Sequence, residues 1–416
     1  MQYDAVIIGA GIAGLACAQV VQQSGRSYTI LESGNHLGGR IQTDVVDGFQ
    51  LDHGFQVVQT GYSDIGQYLH LKELQLKKFP AGVAVRFNGR FHVLADPRHH
   101  PRHLLSTLTS PVGNIADRMA MLRLAWQVCR RPLEDIFQQP EEKTIDYLQE
   151  FGFSNNFIRR FFVPFFAGAC LDRNISASNR VLKYIFRIFA MGDAALPSGG
   201  MGQIPQQIAR SLPGDTIQYN RKVVQVSEGS VTLEDGKTIH GRHIVVATPE
   251  PVVKDLLQIR TRGRSVGESC LYYAADWVPP FKEPFLLLNG DDRGPVNNIA
   301  FPSMVAPQYA PAGKTLVAVV VLDENFRGKS ELAGEVRKQC REWFGDAVND
   351  WEHLRTYDID HALPDQSPPT HNPYLLPKPF SETISICGEH QSLPGLQWAL
   401  MSGHMTGKHL VETCKE

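Results

Sequence analysis

A short apolar segment that runs straight into a glycine-rich turn constrains the fold of this chain more than any other feature. Residues 3–8 have the composition of a buried strand, a Gly-x-Gly-x-x-Gly motif follows at residues 9–14, and residues 15–24 read as a helix. A second apolar strand at residues 28–31 ends at Glu32. This order predicts a β–α–β unit that binds a dinucleotide, because its helix begins with free N–H groups that suit phosphates.

Five residues of this unit are predicted cofactor contacts. Gly9 permits the tight turn, Gly11 lets a pyrophosphate approach the backbone, and Gly14 lets the helix pack closely on the strand. Ala13 lies within the same glycine motif, directly before Gly14. Glu32 is placed to accept hydrogen bonds from ribose hydroxyls, and its charge would repel a 2′-phosphate, so the sequence argues against NADP.

The size and charge of the chain limit its number of domains and the kind of partner that it can bind. It has 416 residues, 43 % hydrophobic and 20 % charged, which is enough for two or three domains or one large two-part fold. Its 41 Lys and Arg and 43 Asp and Glu give a net charge of −2. This balance argues against a nucleic-acid partner, which would require a basic excess or a basic stripe.

Cysteine usage and hydropathy bear on location. The seven cysteines are scattered without a Cys-x-x-Cys pair, which argues against a thiolate metal site and predicts reduced thiols in the cytoplasm. The His-rich segment 97–103 is interpreted as a polar loop, and no metal is predicted. Neither a signal peptide nor an apolar stretch of about 18 residues occurs, so no transmembrane helix is predicted. Peripheral contact with a membrane stays open.

A second glycine pair and an arginine follow Glu32. Residues 32–43, Glu-Ser-Gly-Asn-His-Leu-Gly-Gly-Arg-Ile-Gln-Thr, resemble an extension found in one flavoprotein superfamily, which includes amine oxidases, protoporphyrinogen oxidases and phytoene-type desaturases. The resemblance implies FAD as the cofactor. The N–H groups of Gly38 and Gly39 would close over its pyrophosphate, and Arg40 would supply a cation to the phosphate oxygens.

The far end of the chain resembles the second FAD motif of the same superfamily. Residues 383–387 read as a strand, followed by Gly388 and Glu389, a short loop and a helix. The resemblance implies that Gly388 and Glu389 meet the ribityl or pyrophosphate region and that the Gln397 backbone meets the flavin. Trp398 stands where the family often has glycine, so either its ring crowds or caps the flavin edge or the motif is aligned one residue away.

A small antiparallel meander at residues 221–233 matches an insertion of the superfamily, where Val223 takes the position of an adenine contact. The predicted fold class is therefore α/β, with a Rossmann-type FAD-binding domain of the amine oxidase-like flavoprotein kind and an α+β substrate domain. The FAD-binding domain is assigned residues 1–70, 197–255 and 380–416. The substrate domain is assigned residues 71–196, which read as helical, and 256–379, which mix strands with a helix at 330–344.

Within the superfamily, the motifs favour the desaturase-like branch. Residues 54–62 resemble the desaturase pattern more than the amine oxidase pattern, and Gly54 and Phe55 are predicted flavin contacts. Residues 195–205 resemble a segment of desaturases and protoporphyrinogen oxidases. The resemblance covers about half of the chain and is clear only in the cofactor domain.

Two observations weaken the reading as an amine oxidase. Ser269 falls where amine oxidases usually carry a lysine near the flavin, and no lysine occurs between Lys254 and Lys282. Cys387 lies in a predicted strand and lacks the local context of the cysteine that links covalently to flavin in amine oxidases. FAD is therefore expected to be noncovalent.

The favoured function is an FAD-dependent oxidoreductase that desaturates or isomerises a hydrophobic, isoprenoid or polycyclic, substrate, with flavin N5 as the hydride acceptor. An amine or amino-acid oxidase and a non-dehydrogenating flavoprotein, a mutase or a protein with structural FAD, are the alternatives. The electron acceptor is oxygen, a quinone or NAD. His53, His390 and Tyr272 are candidate acid–base groups, although each more often packs or caps. The aromatic residues between 157 and 189 would form either a substrate tunnel or a helical core.

Overall fold

The computed structural model describes residues 2–62, 65–260, 264–375 and 379–413. The strands in this part of the chain are β1 Gln2–Ile8, β2 Tyr28–Leu31, β3 Thr43–Val46, β4 Phe49–Asp52, β5 Val58–Gln59, β6 Lys77–Lys78, β7 Gly82–Phe87, β8 Arg90–Ala95, β9 Ala194–Leu196, β10 Ile217–Gln218, β11 Val223–Ser227, β12 Ser230–Leu233, β13 Thr238–Val246, β14 Ser265–Ala275, β15 Leu286–Asn289, β16 Val296–Ala300, β17 Thr315–Val321, β18 Glu352–Pro364 and β19 Ile384–Ile386.

The helices follow the same numbering. They are α1 Ile12–Gln23, α2 Ile65–Tyr68, α3 Leu104–Thr109, α4 Ile115–Arg130, α5 Leu133–Ile136, α6 Thr144–Glu150, α7 Asn155–Phe157, α8 Val163–Cys170, α9 Asn179–Met191, α10 Gln203–Ala209, α11 Glu250–Leu257, α12 Pro302–Val305, α13 Leu332–Phe344 and α14 Leu396–Thr413. A π-helical segment, Ile158–Phe162, joins α7 to α8. Short 3₁₀ turns occupy Pro101–His103, Pro307–Tyr309, Gly345–Asp350 and Glu389–Gln391.

The first sheet contains the predicted β–α–β unit. Its order is β10-β2-β1-β13-β12-β11. The strand β19 pairs with the last residues of β13, 244–246, which lie beyond the residues that pair with β12. The pairs among β10, β2, β1, β13 and β19 are parallel, whereas β11, β12 and β13 form the predicted antiparallel meander. All four residues of β2 are buried, as expected for a parallel strand covered on both faces. The predicted α/β fold with a Rossmann-type domain is confirmed.

The last helix packs on the first through small residues. A Cβ atom added to Gly403 of α14 would lie 2.0 Å from the carbonyl oxygen of Ala13, and one added to Gly407 would lie 2.9 Å from that of Cys17. These glycines, four residues apart on one face of α14, let its backbone lie directly against α1. The end of the chain thereby covers the dinucleotide-binding helix.

The second sheet has the order β18-β14-β17-β16-β15-β7-β8. The prediction of a helical segment over residues 71–196 is wrong at its start, because β7 and β8 form a hairpin and join this sheet. The hairpin turns at Asn88 and Gly89, both with positive φ, which is a strong local hairpin signal. The other edge of β7 then pairs in parallel with β15.

The aromatic residues between 157 and 189 form the core of the helical layer. Phe162, Phe166 and Tyr184 are at most 4 % exposed, and Phe157 stacks on Phe161 with their ring centroids 5.1 Å apart. Since these rings contact one another, the contacts support the helical core and not a substrate tunnel through these residues.

Sheet membership follows the predicted division of the chain. The strands of the first sheet come from residues 2–31, 217–246 and 384–386, and those of the second come from 82–95 and 265–364. A small third sheet, β5-β9-β6, joins segments assigned to both domains. The domain boundaries themselves stay a prediction. Among the described residues, no helix is long and apolar enough to cross a membrane.

Candidate cofactor and active site

The glycine turn between β1 and α1 is built by close contacts. Gly9 has a φ of +103°, and a Cβ atom there would lie 2.9 Å from the carbonyl oxygen of Ala247. A Cβ atom on Gly14 would lie 2.1 Å from the carbonyl oxygen of Gly9. Gly11 differs, since a Cβ atom on it would meet no atom within 4 Å. Gly11 also caps α1 without a side chain, so open space adjoins the positive end of the helix.

The second glycine pair lies against the first turn. The Gly38 N–H donates to the carbonyl oxygen of Ala10 at 2.9 Å, and Gly38 forms a β-bridge with Gly11. A Cβ atom on Gly39 would lie 3.4 Å from the Gly11 Cα. The Gly38 N–H is therefore engaged within the protein, which corrects the expectation that it closes over a pyrophosphate. Gly38 instead fixes the distance between the two loops.

Glu32 holds the end of β2 to both loops. One carboxylate oxygen accepts a hydrogen bond from the Ala10 N–H at 2.8 Å, and the other accepts one from the Gly34 N–H at 2.8 Å. A carboxylate that accepts two backbone N–H groups is fixed in place. The Glu32 carboxylate thus has a defined position beside the Gly11 turn. Its contact with a ribose stays a prediction.

Arg40 and Glu389 form an ion pair across 349 positions of sequence. The Arg40 guanidinium also donates to the carbonyl oxygen of Ala362 at 2.6 Å. Glu389 is 6 % exposed and accepts a hydrogen bond from the Gly395 N–H at 2.9 Å. Gly388 precedes it with a φ of +144°, a conformation that side chains rarely adopt. The two motifs singled out by the resemblance therefore meet in space.

Several buried polar atoms of the Glu389 segment and of the glycine turn lack a hydrogen-bond partner among the described residues. They include the Gln397 Oε1, the His390 Nε2, the Ser392 Oγ and the Thr248 Oγ1. The Thr248 side chain belongs to the wall of the glycine turn, because its Cγ2 lies 3.5 Å from the Cβ position of Gly9. Buried polar groups are normally paired, so this set fits a polar ligand such as a dinucleotide cofactor.

The turn at Gly54 carries a buried carboxyl group that the sequence analysis did not single out. Gly54 has a φ of +90°, and a Cβ atom on it would lie 2.3 Å from the Glu268 Oε1. The Phe55 N–H donates a hydrogen bond to the same carboxyl group. Four residues further along β14, the Tyr272 hydroxyl donates to the Gly54 carbonyl oxygen at 3.2 Å. Glu268 and Tyr272 thus fix both predicted flavin contacts of this turn.

Burial dominates the electrostatics of Glu268. The residue is 6 % exposed, and burial raises its pKa to about 7, although the Phe55 hydrogen bond and the Arg327 charge act in the opposite direction. The signal in the sequence was an acidic residue within an otherwise apolar strand. Alternation along β14 places Glu268, Cys270 and Tyr272 on one face, and Ser269 on the other.

The three candidate acid–base groups are placed differently. The His53 Nε2 lies 3.2 Å from the Asp44 carboxylate, and its ring centroid is 4.6 Å from that of Tyr357. Burial raises the pKa of Tyr272 well above its usual value, so its hydroxyl stays protonated. Burial lowers the pKa of His390 to about 4, so its ring is neutral near pH 7. The His53 side chain is paired to Asp44, whereas the Tyr272 side chain donates to the Gly54 turn.

Three further residues named from the sequence have structural partners. Ser269, at the predicted lysine position, donates to Asp358 of the neighbouring strand and faces away from Gly54. Val223 begins β11 opposite Leu233 and is 8 % exposed. Cys387 directly follows β19, which ends one residue before the predicted strand does, and its N–H still donates to the Val246 carbonyl oxygen of β13 at 3.0 Å. It is fully buried, and burial raises its pKa, which keeps the thiol protonated.

Trp398 packs into an aromatic cluster at the start of α14. Its ring centroid lies 5.4 Å from that of Tyr184, 5.5 Å from that of Tyr374 and 6.3 Å from that of Phe137. The residue is fully buried. The expectation that a large ring caps the cofactor edge is not supported by these contacts, which direct the indole into the protein core.

This arrangement is that of a Rossmann-type flavoprotein. Residues 12–406 match the family described as flavin containing amine oxidoreductase, and the chain belongs to that family. The protein is therefore a flavin-dependent oxidoreductase, and the membership of the superfamily inferred from its motifs is confirmed.

Individual relatives agree with this assignment. The chain is 25 % identical to the L-amino acid dehydrogenase of Synechocystis sp. over 379 residues, which cover 81 % of this chain and 76 % of that protein. It matches cyclohexylamine oxidase from Brevibacterium oxydans with a TM-score of 0.72, at 16 % identity over 100 % of both chains. It matches a protein assigned as a protoporphyrinogen oxidase from Exiguobacterium sp. with a TM-score of 0.73, at 14 % identity over 98 % of both chains. The two structural likenesses show the fold, so the desaturase-like branch stays a prediction.

Proposed function

We propose that the protein binds FAD noncovalently and uses it to dehydrogenate or isomerise a hydrophobic substrate of isoprenoid or polycyclic character. The buried carboxyl group of Glu268 at the Gly54 turn carries the proposed chemistry, and the desaturase-like motifs at residues 54–62 and 195–205 support an apolar substrate. Tyr62 stacks on Tyr184 with ring centroids 6.5 Å apart, and Tyr184 in turn contacts Trp398. The Tyr62 hydroxyl is 3.6 Å from the Cβ position of Gly395, beside the Glu389 loop. Tyr62 therefore lies between the buried aromatic core and the loop that is proposed to hold the cofactor.

The cofactor would be held by the two glycine loops and the C-terminal motif. Open space over Gly11 and the positive end of α1 suit the pyrophosphate, and Arg40 adds a cation that Glu389 orients. Gly54, Phe55 and Gln397 are the proposed flavin contacts. Bound FAD would supply the hydride acceptor. Cys387 is buried and protonated at neutral pH, which supports noncovalent binding.

Glu268 is the proposed acid–base group. Its carboxyl group touches the Gly54 turn and accepts from the Phe55 N–H, and both residues are proposed to contact the flavin. A pKa of about 7 lets the carboxyl group take up or release a proton near neutral pH. Loss of hydride from an apolar substrate leaves a carbocation, which yields an alkene when a proton is removed. Glu268 would remove that proton, and a protonated Glu268 would serve an isomerisation.

Oxidation of an amino acid or amine is the second candidate. The identity to L-amino acid dehydrogenase over 81 % of the chain favours it. The sequence opposes it, because no lysine occurs between Lys254 and Lys282 and Ser269 faces away from the Gly54 turn. The two candidates differ in substrate, so a direct assay separates them.

The test is the absorbance of the purified protein, followed without oxygen while isoprenoids, porphyrinogens, amines and amino acids are added in turn. Isoprenoids or porphyrinogens should bleach the flavin bands, and acid precipitation should release the flavin into the supernatant. Glu268→Gln should retain FAD and bleach more slowly, whereas Glu234→Gln on the surface should not differ from the wild type. Bleaching by an amino acid or amine alone would establish the second candidate instead. Bleaching by none of the compounds, with flavin that a chemical reductant still reduces, would favour a non-dehydrogenating role.

The electron acceptor is identified in the same cuvette. Oxygen, a quinone or NAD is added to the reduced protein. The electron acceptor is the compound that restores the flavin bands at least as fast as the enzyme turns over. A cytoplasmic location is part of the proposal, and the six described cysteines are free thiols, which supports it.

A further inference from the structure

The helices α3 and α4 expose an apolar surface that the fold does not require. Seven of the fifteen large hydrophobic residues that are exposed in the described chain lie within residues 104–126. They are Leu104, Leu105, Leu108, Ile115, Met119, Leu122 and Trp126, and we call this set the α3–α4 face. Single exposed apolar residues are ordinary, but a contiguous group marks an interaction site.

The stripe on α4 is regular. Ile115, Met119, Leu122 and Trp126 follow a spacing of four, three and four residues, so they line one side of the helix. Each is more than 60 % exposed. The opposite side of α4 is buried through Ala120, Leu124 and Val128, among others. Since α4 already buries one apolar side in the core, the exposed side is a second apolar surface without a partner in the described chain.

The face is held rigid. The Arg118 guanidinium donates to the carbonyl oxygens of Thr107 at 3.1 Å and Ser110 at 2.7 Å, which ties α3 to α4. Asn114 and Asp117 form a reciprocal capping box at the start of α4. A shallow groove of about 550 Å³, lined by Leu108, Ile115 and Arg118 among others, lies between the helices. The surface is therefore preformed.

The charge around this face is strongly positive. Residues 97–131 contain six arginines and a single acidic residue, Asp117, which is fully buried in the capping box. Arg98 and Arg102 pair with Asp96 and Glu283. For the remaining four, Arg118, Arg123, Arg130 and Arg131, no carboxylate of the described residues lies within 4.0 Å. The guanidinium of Arg130 lies 4.7 Å from the Trp126 ring centroid. Arginines thus flank the apolar stripe along α4, although the whole chain is slightly acidic.

We propose that the α3–α4 face docks on the surface of an anionic lipid bilayer, with its apolar side chains in the headgroup region and its arginines on lipid phosphates. Charge decides between this partner and a second copy of the chain. Two copies meeting through the same face would bring their arginines together, which opposes association. An anionic bilayer supplies both an apolar layer and the opposite charge, and tryptophan favours this boundary. The proposal goes beyond the proposed function and does not depend on FAD or substrate.

The test is cosedimentation of the full chain with vesicles. The wild type should bind mixed phosphatidylcholine–phosphatidylglycerol vesicles more tightly than pure phosphatidylcholine, and salt should weaken the binding. Leu122→Ser combined with Trp126→Ser should lose at least about tenfold in affinity, because two exposed apolar anchors are removed. Arg130→Glu combined with Arg131→Glu should abolish the preference for the anionic vesicles. Val45→Ser combined with Val278→Ser, two valines exposed elsewhere, is the matched control and should bind as the wild type does.

Thermal unfolding of each variant shows that it is folded, and exposed positions should leave the transition unchanged. Equal vesicle binding by the wild type and the Leu122/Trp126 variant would overturn the proposal, as would the absence of wild-type binding to anionic vesicles. A wild-type dimer in sedimentation equilibrium that this variant dissolves would show that a second copy covers the face, and it would also overturn the proposal. None of these readouts uses the flavin, so a failure here is separate from a failure of the proposed function.

Discussion

The carboxyl group of Glu268 lies in a place where water cannot solvate its charge. It accepts a hydrogen bond from the Phe55 N–H and is 6 % exposed, so its ionised form is disfavoured in the folded protein. In the unfolded chain the same group returns to an ordinary pKa near 4.5. The folded state therefore binds more protons than the unfolded state between about pH 4.5 and pH 7, and stability falls as pH rises through this window.

Replacing Glu268 by glutamine should flatten this dependence. Glutamine keeps an oxygen for the Phe55 N–H but carries no charge, so from pH 5 to pH 8 the variant should gain stability relative to the wild type, by up to about 3 kcal/mol. Asp52, whose pKa burial raises to about 6, leaves part of the slope in both proteins. Urea unfolding midpoints measured across this range provide the comparison, with Glu234→Gln as a surface control. Parallel curves for the wild type and Glu268→Gln would mean that Glu268 is solvated as an ordinary carboxylate.

The residues of the site differ in how far the sequence could place them. Gly9 and Gly14 could be assigned roles, since the backbone contacts that require glycine lie within one β–α–β unit. The hydrogen bond from the Gly38 N–H could not be predicted, because its acceptor, the Ala10 carbonyl oxygen, comes close only when the two loops fold together. Glu268 went unnoticed for a similar reason. The sequence predicted a strand only over residues 270–274, which leaves Glu268 outside it, and the Gly54 turn that Glu268 touches lies 214 residues away.

Among the elements, the pair α1 and α14 depends on an unusually close approach of two helix backbones. Gly403 and Gly407 of α14 face Ala13 and Cys17 of α1, and a side chain on either glycine would strike backbone atoms. This contact sets the position of the start of α14, where Gln397 is proposed to meet the flavin.

A methyl group at Gly403 should break this packing. Gly403→Ala places a Cβ atom 2.0 Å from the Ala13 carbonyl oxygen, a distance that only a shift of one helix can relieve, so a loss of about 2 kcal/mol or more in the free energy of unfolding is expected. Gly334→Ala in α13 is the matched control. A Cβ atom there meets nothing within 4 Å, and the change should stabilise that helix by up to about 1 kcal/mol.

Chemical unfolding of both variants measures the two effects. Equal stability of Gly403→Ala and Gly334→Ala would show that the two helices are farther apart than the structure has them.

The β7–β8 hairpin, which the sequence analysis missed, shows which structural information lies in the local sequence. The hairpin of β7 and β8 is signalled by Asn88 and Gly89 between two alternating segments, and the general helical character of the surrounding region obscured it. Its place at the edge of the second sheet could not be predicted, because its parallel partner β15 begins about 200 residues later. Strands of the first sheet were located more accurately, since β1, α1 and β2 form one continuous motif.

At the scale of the whole molecule, FAD would bridge segments from both ends of the chain, since Gly11 and Arg40 belong to the first and Glu389 and Gln397 to the second. A ligand that binds only the folded state raises stability by mass action. FAD at about a hundredfold excess over its dissociation constant should therefore add about 2.7 kcal/mol, or about 3 °C in melting temperature for a chain of this length.

Arg40→Ala should lose most of this shift, because the phosphates lose a cation and Glu389 is left buried without its partner. Lys222→Ala, which removes an exposed pair with Glu234, should retain the shift. Scanning calorimetry with and without FAD measures both. An unchanged melting temperature of the wild type in FAD would contradict noncovalent FAD binding at this site.

The position of β19 and α14 has a consequence for how the chain is made. The strand that completes the parallel part of the first sheet, and the helix that covers α1, are synthesised after all the other strands of that sheet. Until they emerge, β13 has an open edge and α1 has an uncovered apolar face, and a nascent chain in this state is a substrate for chaperones. Translation that stalls before residue 384 should thus yield a product unable to capture flavin, however well its first forty residues have folded.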